Sequence, residues 1–367
     1  MNNRENIQQQ ALDSVVGRTR SGLGISMGVG KTLIGLKHMN DLYVNQGMRK
    51  FLVVAPKKSI FTTWVDDAKK FALSHLEDCI EFTTYLSLTK KDHAAYQAIY
   101  LDECHSLLYS HELWLATYGG IILGLTGTPP RFKKSEKGYM VDRFCPIIYT
   151  YITDDAVEDG ILNDYRIIIH PITLSDRKDY LVKTAKKEFY SSEQANYAYW
   201  CDRVYNAVGP KDEQITRIMR MTSLMNYPGK MRYAKRLLHQ IEGKCLVFCN
   251  TQAQANDILP NSYHSNNLYS DENLVAFKTG EIDRLSCVLS LNEGVNIPDL
   301  RTCIIMHAYS NERKSTQRIG RLLRLNPDET ATIHILMYKN TVDESWVNKA
   351  LEDLDPSKIH ILENSYA

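Results

Sequence analysis

Long apolar runs are missing from this chain of 367 residues. No stretch approaches the roughly 20 residues that a helix needs to cross a bilayer, so no membrane partner is expected. The opening Met1-Asn2-Asn3-Arg4-Glu5-Asn6 also lacks the apolar core of a secretory signal, which predicts a cytoplasmic protein. An excess of one charge is absent too. With 44 Lys and Arg against 43 Asp and Glu, a polyanion could be held only by a local basic surface. The eight cysteines, at 79, 104, 145, 201, 245, 249, 287 and 303, form no C-x-x-C pair and have no His partners at zinc spacing. Reduced, mostly buried thiols are expected, with neither a disulfide nor a structural metal. Low-complexity tracts and short repeats are likewise lacking. What is present, 44% hydrophobic and 24% charged residues, is the balance of a soluble globular protein with room for two domains.

Apolar, strand-like runs alternate with polar, helix-like segments, the rhythm of a parallel sheet wrapped by helices. In the first half the runs are Phe51–Ala55, Ala98–Leu101 and Ile121–Leu125, each ending on residues suited to chemistry rather than packing. Open α/β sheets keep their ligands there, beyond the carboxyl ends of the strands. From about Pro171 to Gln240 the character turns polar and aromatic with helical spacing, as in Asp176–Tyr205 and Asp212–Met225. A second alternating set follows at Cys245–Cys249, Leu285–Ser290, Cys303–Met306 and Ala331–Leu336. The expected division is an α/β domain over 1–168, a helical insertion or linker over 169–240, and a second α/β domain over 241–367.

Met27-Gly28-Val29-Gly30-Lys31-Thr32 runs into a helix-compatible segment. Glycines allow backbone N–H groups to close on phosphates, Lys31 adds a positive charge, and the Thr32 hydroxyl suits a Mg²⁺ ligand at a helix start. Ile25 stands where the full phosphate-loop pattern has glycine, and a plain glycine turn before a helix would explain the motif if it stood alone. Further along, Asp102-Glu103-Cys104-His105 places two carboxylates at a strand end. Asp102 is suited to hold Mg²⁺ through water, and Glu103 to orient and deprotonate an attacking water. Thr126-Gly127-Thr128 ends the next strand. Near the end, Gln317, Arg321 and Arg324 share one face of a predicted helix, as arginines that clamp a γ-phosphate would. A solvated basic helix would look the same. Glu293-Gly294 reads as a loop after the strand at 285–290.

These five segments, in this order, resemble motifs I, II, III, V and VI of the superfamily 2 helicases and translocases. The resemblance implies two tandem RecA-like domains, parallel sheets flanked by helices, hydrolysing ATP with Mg²⁺. It implies nucleotide contacts at Gly28, Val29, Gly30, Lys31, Thr32 and Gly294, catalytic roles for Asp102, Glu103, His105, Gln317, Arg321 and Arg324, and adenine recognition by Gln8. Three neighbouring glutamines, 8 to 10, leave that last register open. Track contacts would fall at Pro56, Lys57, Lys58 and the Thr83-Thr84-Tyr85 segment in the first domain and at Asn250-Thr251 and Asn292 in the second, chiefly Thr84, Thr251 and Asn292, mostly to phosphates and sugars. The stretch from Ser26 to Thr32, the segment Val53-Val-Ala-Pro-Lys57 and Trp64 are similar to Swi/Snf-type and phage UvsW-type duplex DNA motors. The chain begins almost at the adenine position and ends soon after motif VI, so a nearly bare motor is expected, in the host cytoplasm if phage-encoded. The implied partner is DNA, duplex, forked or branched, with replication or recombination proteins beside it. An RNA helicase and a non-translocating ATP-gated clamp are the rival readings.

Overall fold

The computed structural model describes residues 3–183, 187–288, 297–308, 329–352 and 354–363. Two parallel sheets with flanking helices follow one another along the chain, the expected α/β architecture. The first contains β1 (Arg20–Ile25), β2 (Phe51–Ala55), β3 (Ile80–Thr84), β4 (Ala98–Asp102), β5 (Ile121–Thr126) and β6 (Ile147–Tyr151). Every pairing is parallel, in the order β3-β2-β4-β5-β1-β6. β2 and β4 are buried at every position, which is why they read as unbroken apolar runs rather than alternating ones. Helices α1 (Asn3–Val15), α2 (Lys31–Gln46), α3 (Ser59–Lys70), α4 (Glu112–Thr117), α5 (Glu136–Phe144) and α6 (Thr153–Glu158) complete this unit. Because β5 lies between β4 and β1, the loops leaving those three strands emerge side by side. They are the three loops that carry the phosphate-binding, acidic and Thr-Gly-Thr segments.

The second unit contains β7 (Asp164–Ile172), β10 (Cys245–Cys249), β11 (Ser262–Tyr263), β12 (Arg284–Val288), β13 (Thr302–Ile305), β14 (Thr330–Tyr338) and β15 (Ile359–Ile361). They pair in parallel in the order β11-β12-β10-β13-β14-β7-β15, while β8 (Tyr180–Lys183) and β9 (Glu188–Ser191) form a separate antiparallel hairpin. Its described helices are α7 (Glu193–Tyr205), α8 (Gly209–Asn226), α9 (Pro228–Gln240), α10 (Gln252–Ile258), α11 (Ser270–Thr279) and α12 (Val342–Leu351).

Two differences from the sequence reading have physical causes. The boundary expected at residue 168 falls inside β7, which pairs with β14 from Asp164↔Thr330 to Ile172↔Tyr338. So distant a partner leaves no local trace in the sequence. The segment 176–205, expected to be helical throughout, holds the β8–β9 hairpin, and its helix starts only at Glu193. Val182, Phe189 and Tyr190 suit strands, but the charged residues around them mask the short alternation.

The helices of 193–240 are integral to the second unit because buried charges tie them to its sheet. Lys230, on α9 and fully buried, places its ammonium 2.5 Å from Asp343 at the start of α12. The Asp343 carboxylate also accepts the Tyr338 N–H at 2.8 Å, and the Tyr338 hydroxyl accepts the Lys230 N–H at 3.0 Å. Burial pulls the Lys230 ammonium below its ordinary pKa, and the Asp343 charge opposes that shift. On α7, buried Glu193 accepts N–H groups from Ser175 at 2.9 Å and Gly229 at 2.7 Å. Breaking a buried ion pair from one side leaves an uncompensated charge, a loss of about 3–5 kcal/mol, whereas replacing both partners with apolar groups avoids that loss. Asp343→Ala should therefore destabilise the second unit by about that amount in urea unfolding. The double variant Lys230→Met/Asp343→Leu should recover most of it.

Candidate nucleotide site

β1 runs into the loop 26–30, and α2 begins at Lys31. Gly28 and Gly30 take φ of 90° and 105°, a region that L side chains rarely enter. At Gly30 space is also short, since a Cβ there would lie 2.7 Å from Gln8 Nε2. The first-turn N–H groups of α2 have no partner within the helix and carry the positive end of its dipole. Such an end is a ready site for phosphate oxygens. The Lys31 ammonium lies beside Gly127 at the end of β5, where an added Cβ would come within 3.1 Å of Nζ. Ser26 anchors the loop from the other side: its hydroxyl lies 2.8 Å from that of Thr153, and its N–H donates to the Tyr151 carbonyl at 2.9 Å.

Gln8, on α1, is buried at 3% exposure, and its amide donates to the Val29 carbonyl at 2.9 Å. Its Oε1 accepts from Lys37 at 3.1 Å. The buried positions of α1 are Gln8, Ala11 and Val15, while Gln9 and Gln10 are exposed. Gln8 is therefore the glutamine that touches the phosphate loop.

β4 ends at Asp102, only 6% exposed. Its carboxylate Oδ2 accepts the Trp64 indole N–H at 2.9 Å, and its carbonyl accepts the Tyr85 hydroxyl at 2.9 Å. Burial raises the Asp102 carboxyl above its ordinary pKa, and the Trp64 hydrogen bond and the Lys31 charge oppose that shift. Glu103 turns into left-handed backbone, φ 50° and ψ 55°, at a position where a non-glycine residue is strained. This turn breaks strand alternation immediately after Asp102. His105 Nδ1 lies 3.4 Å from Glu103 Oε2 and 2.8 Å from the Thr126 hydroxyl, which accepts the Thr128 N–H at 3.1 Å. The acidic and Thr-Gly-Thr segments are thus joined through one buried imidazole. Thr32 and Asp102 supply hard oxygen donors of the kind Mg²⁺ takes, and a buried carboxylate gains from a nearby cation.

Of the residues expected to touch a track, Pro56, Lys57 and Lys58 form the turn between β2 and α3, with both lysines exposed. Thr84 ends β3. Tyr85, grouped with it in the sequence reading, is instead buried with its hydroxyl committed to Asp102. Thr251 caps α10, accepting the Gln254 N–H at 3.2 Å. Asn292, Gly294, Gln317, Arg321 and Arg324 lie outside the described residues. Trp64 stood in the sequence reading only as a branch marker. A tryptophan inside an amphipathic helix reads as core, and its polar partner is 38 residues away.

Two sheets with a phosphate loop, a strand-end carboxylate pair and a hydroxyl-bearing third loop define the nucleotide-hydrolysing class of tandem RecA-like proteins. A model of the type III restriction enzyme res subunit matches residues 3–131, and a model of the helicase conserved C-terminal domain matches 229–326. The DNA 3'-5' translocase XPB2 of Sulfurisphaera tokodaii is 23% identical over 369 aligned residues, covering 92% of this chain and 82% of that one. Among solved structures, the helicase domain of Pyrococcus furiosus Hef shares 14% identity at a TM-score of 0.54, covering 94% of this chain and 96% of that one. The type ISP restriction-modification enzyme LlaBIII, solved bound to DNA, shares 14% at a TM-score of 0.63, covering 97% of this chain and 31% of that one. The two matched models and the relative together support a superfamily 2 helicase or translocase, families that hydrolyse ATP with Mg²⁺ in a nucleic-acid-dependent way.

The crowding at Gly30 gives a test of the loop geometry. Gly30→Ala should cost about 1–2 kcal/mol from the backbone alone, seen as a lower melting temperature, and should weaken ATP binding. Adding Gln8→Ala should relieve the steric part and leave the backbone part.

Proposed function

We propose that this chain is an ATP-driven motor on DNA, translocating along duplex or branched strands. The observation that carries this reading is the meeting of three loops: the phosphate loop ending in Lys31, the Asp102–Glu103 turn, and Gly127 against the Lys31 ammonium. The DNA reading draws support from the relative named as a DNA translocase and from the neighbour solved on DNA.

In this reading Gly28, Val29 and Gly30 shape the backbone cradle, Lys31 neutralises phosphate charge in both ground and transition states, and Gln8 reads the adenine. Glu103 orients the attacking water and takes its proton on the carboxylate. His105 lies against both Glu103 and Thr126, and so ties the base to the Thr-Gly-Thr loop. Thr32 and, through water, Asp102 would hold Mg²⁺, which when bound neutralises charge building on the phosphate oxygens. Gln317, Arg321, Arg324 and Gly294 are assigned to the same reaction, the arginines as stabilisers of transition-state charge. Pro56, Lys57, Lys58, Thr84, Thr251 and Asn292 are assigned to the track. Backbone contacts of this kind need no particular sequence, and affinity should fall steeply with salt as counterions leave.

Binding and chemistry separate in two variants. Lys31→Ala should lose nucleotide affinity together with activity. Glu103→Gln should still bind ATP but hydrolyse it about 10²–10⁴-fold more slowly, as loss of a positioned base predicts. Normal turnover by Glu103→Gln would remove it from the mechanism. ATPase rates with single-stranded, duplex, forked and four-way DNA and with RNA then decide the track. Stimulation by RNA alone would favour an RNA helicase, and no stimulation by any of them a clamp.

A further inference from the structure

The carboxylate assigned to Mg²⁺ and the segments assigned to the track are physically joined. α3 starts at Ser59, directly after Lys57 and Lys58, and carries Trp64 less than two turns on. Trp64 is fully buried, and its indole N–H donates to Asp102 Oδ2 at 2.9 Å. The far edge of the indole rests on α2, where a Cβ at Gly35 would come within 2.6 Å of Trp64 Cη2. Gly35 lies one turn beyond Lys31, so the same ring touches the phosphate-loop helix and the acidic strand end.

A second link runs from the neighbouring track segment. Tyr85 follows Thr84, and its buried hydroxyl donates to the Asp102 carbonyl at 2.9 Å. The Tyr85 carbonyl is held in turn by His111 Nε2 at 3.0 Å. α3 and β3 are also coupled directly, since Phe61 stacks on Phe82 with ring centroids 5.0 Å apart. One aromatic donor thus reaches Asp102 from each segment, one to its side chain and one to its backbone.

We propose that Trp64 and Tyr85 are positioning residues, through which engagement of Lys57, Lys58 and Thr84 with the track sets the orientation of the Asp102 carboxylate. The proposal rests on the track and Mg²⁺ assignments made above. A short helix moves as a unit, so a shift at its first turn is delivered to the indole, and a hydrogen bond in a dry interior passes it on directionally. Trp64 itself is fully buried, with no surface left to offer nucleotide or track.

The test compares Trp64→Phe and Tyr85→Phe, each keeping a ring and losing one donor, with Lys57→Ala/Lys58→Ala. Three quantities are measured: the free Mg²⁺ giving half-maximal binding of a fluorescent ADP, the affinity for a fluorescent duplex DNA, and the ratio of DNA-stimulated to basal ATPase. Loss of a partner that orients a metal-holding carboxylate should raise the Mg²⁺ requirement of Trp64→Phe about tenfold, at the low end of such effects. Both donor variants should lose most of the stimulation ratio while DNA affinity stays within about twofold, because no phosphate contact is removed. Wild-type tryptophan emission should also change when DNA is added, and that change should be missing in Trp64→Phe. If the indole cannot be replaced without unfolding, Tyr85→Phe, which loses a single oxygen, carries the stimulation test alone. Unchanged Mg²⁺ requirement and stimulation in folded variants would overturn the proposal, as would a stimulation loss matched by an equal loss of DNA affinity. Undiminished DNA affinity in Lys57→Ala/Lys58→Ala would instead show the track assignment itself to be wrong, and the proposal falls with it.

Discussion

A carboxylate withdrawn from water at the end of β4 is the constraint around which the first unit is arranged. Burying an unpaired carboxylate costs several kcal/mol, so Asp102 persists only with compensation from an N–H and a nearby cation. Trp64 supplies the first and Lys31 the second. Each requirement fixes another element: the indole fixes α3 against α2, and the ammonium fixes the phosphate loop against the end of β5. The left-handed turn at Glu103 adds about 1–3 kcal/mol of strain, held by the buried strands on either side. Strain of this kind clusters at functional sites, and here it falls beside the carboxylates to which the chemistry is assigned.

The second unit meets a different constraint. Its interior holds a lysine and two carboxylates, Lys230, Asp343 and Glu193, that pin three helices to the sheet rather than serving any reaction assigned to this chain. Apolar packing of α9 would stabilise as well, but it would not specify where α9 sits along Tyr338 and Asp343. Hydrogen bonds from Lys230 and Gly229 do so by direction as well as distance.

The chemistry was more legible in the sequence than the connections. Buried parallel strands announce themselves as apolar runs, so β2, β4, β5, β10 and β14 were visible, and the loops after β1, β4 and β5 carried recognisable residue types. Among Gln8, Gln9 and Gln10 the register stayed open in the sequence, and only the fold shows Gln8 buried with Ala11 and Val15 on one face of α1. What escaped was non-local. The expected boundary at 168 cut β7 in two, because its partner β14 is far along the chain. Tyr85 was grouped with Thr83 and Thr84 as a track contact, and only the fold turns its hydroxyl onto the Asp102 carbonyl.

The place of β7 also bears on how the chain is made. All six strands of the first sheet are synthesised before Asp164, so that unit can close as soon as it clears the ribosome. β7 comes next, but both of its neighbours, β14 and β15, are translated much later, leaving Ile167, Ile169 and their unpaired backbone exposed in the meantime. At ~5–20 residues per second the wait for β14 is roughly ten to thirty seconds. An apolar strand with two open edges over that interval is a template for wrong pairing. The interval between β7 and β14 is therefore the stage of synthesis at which this chain is most open to mispairing.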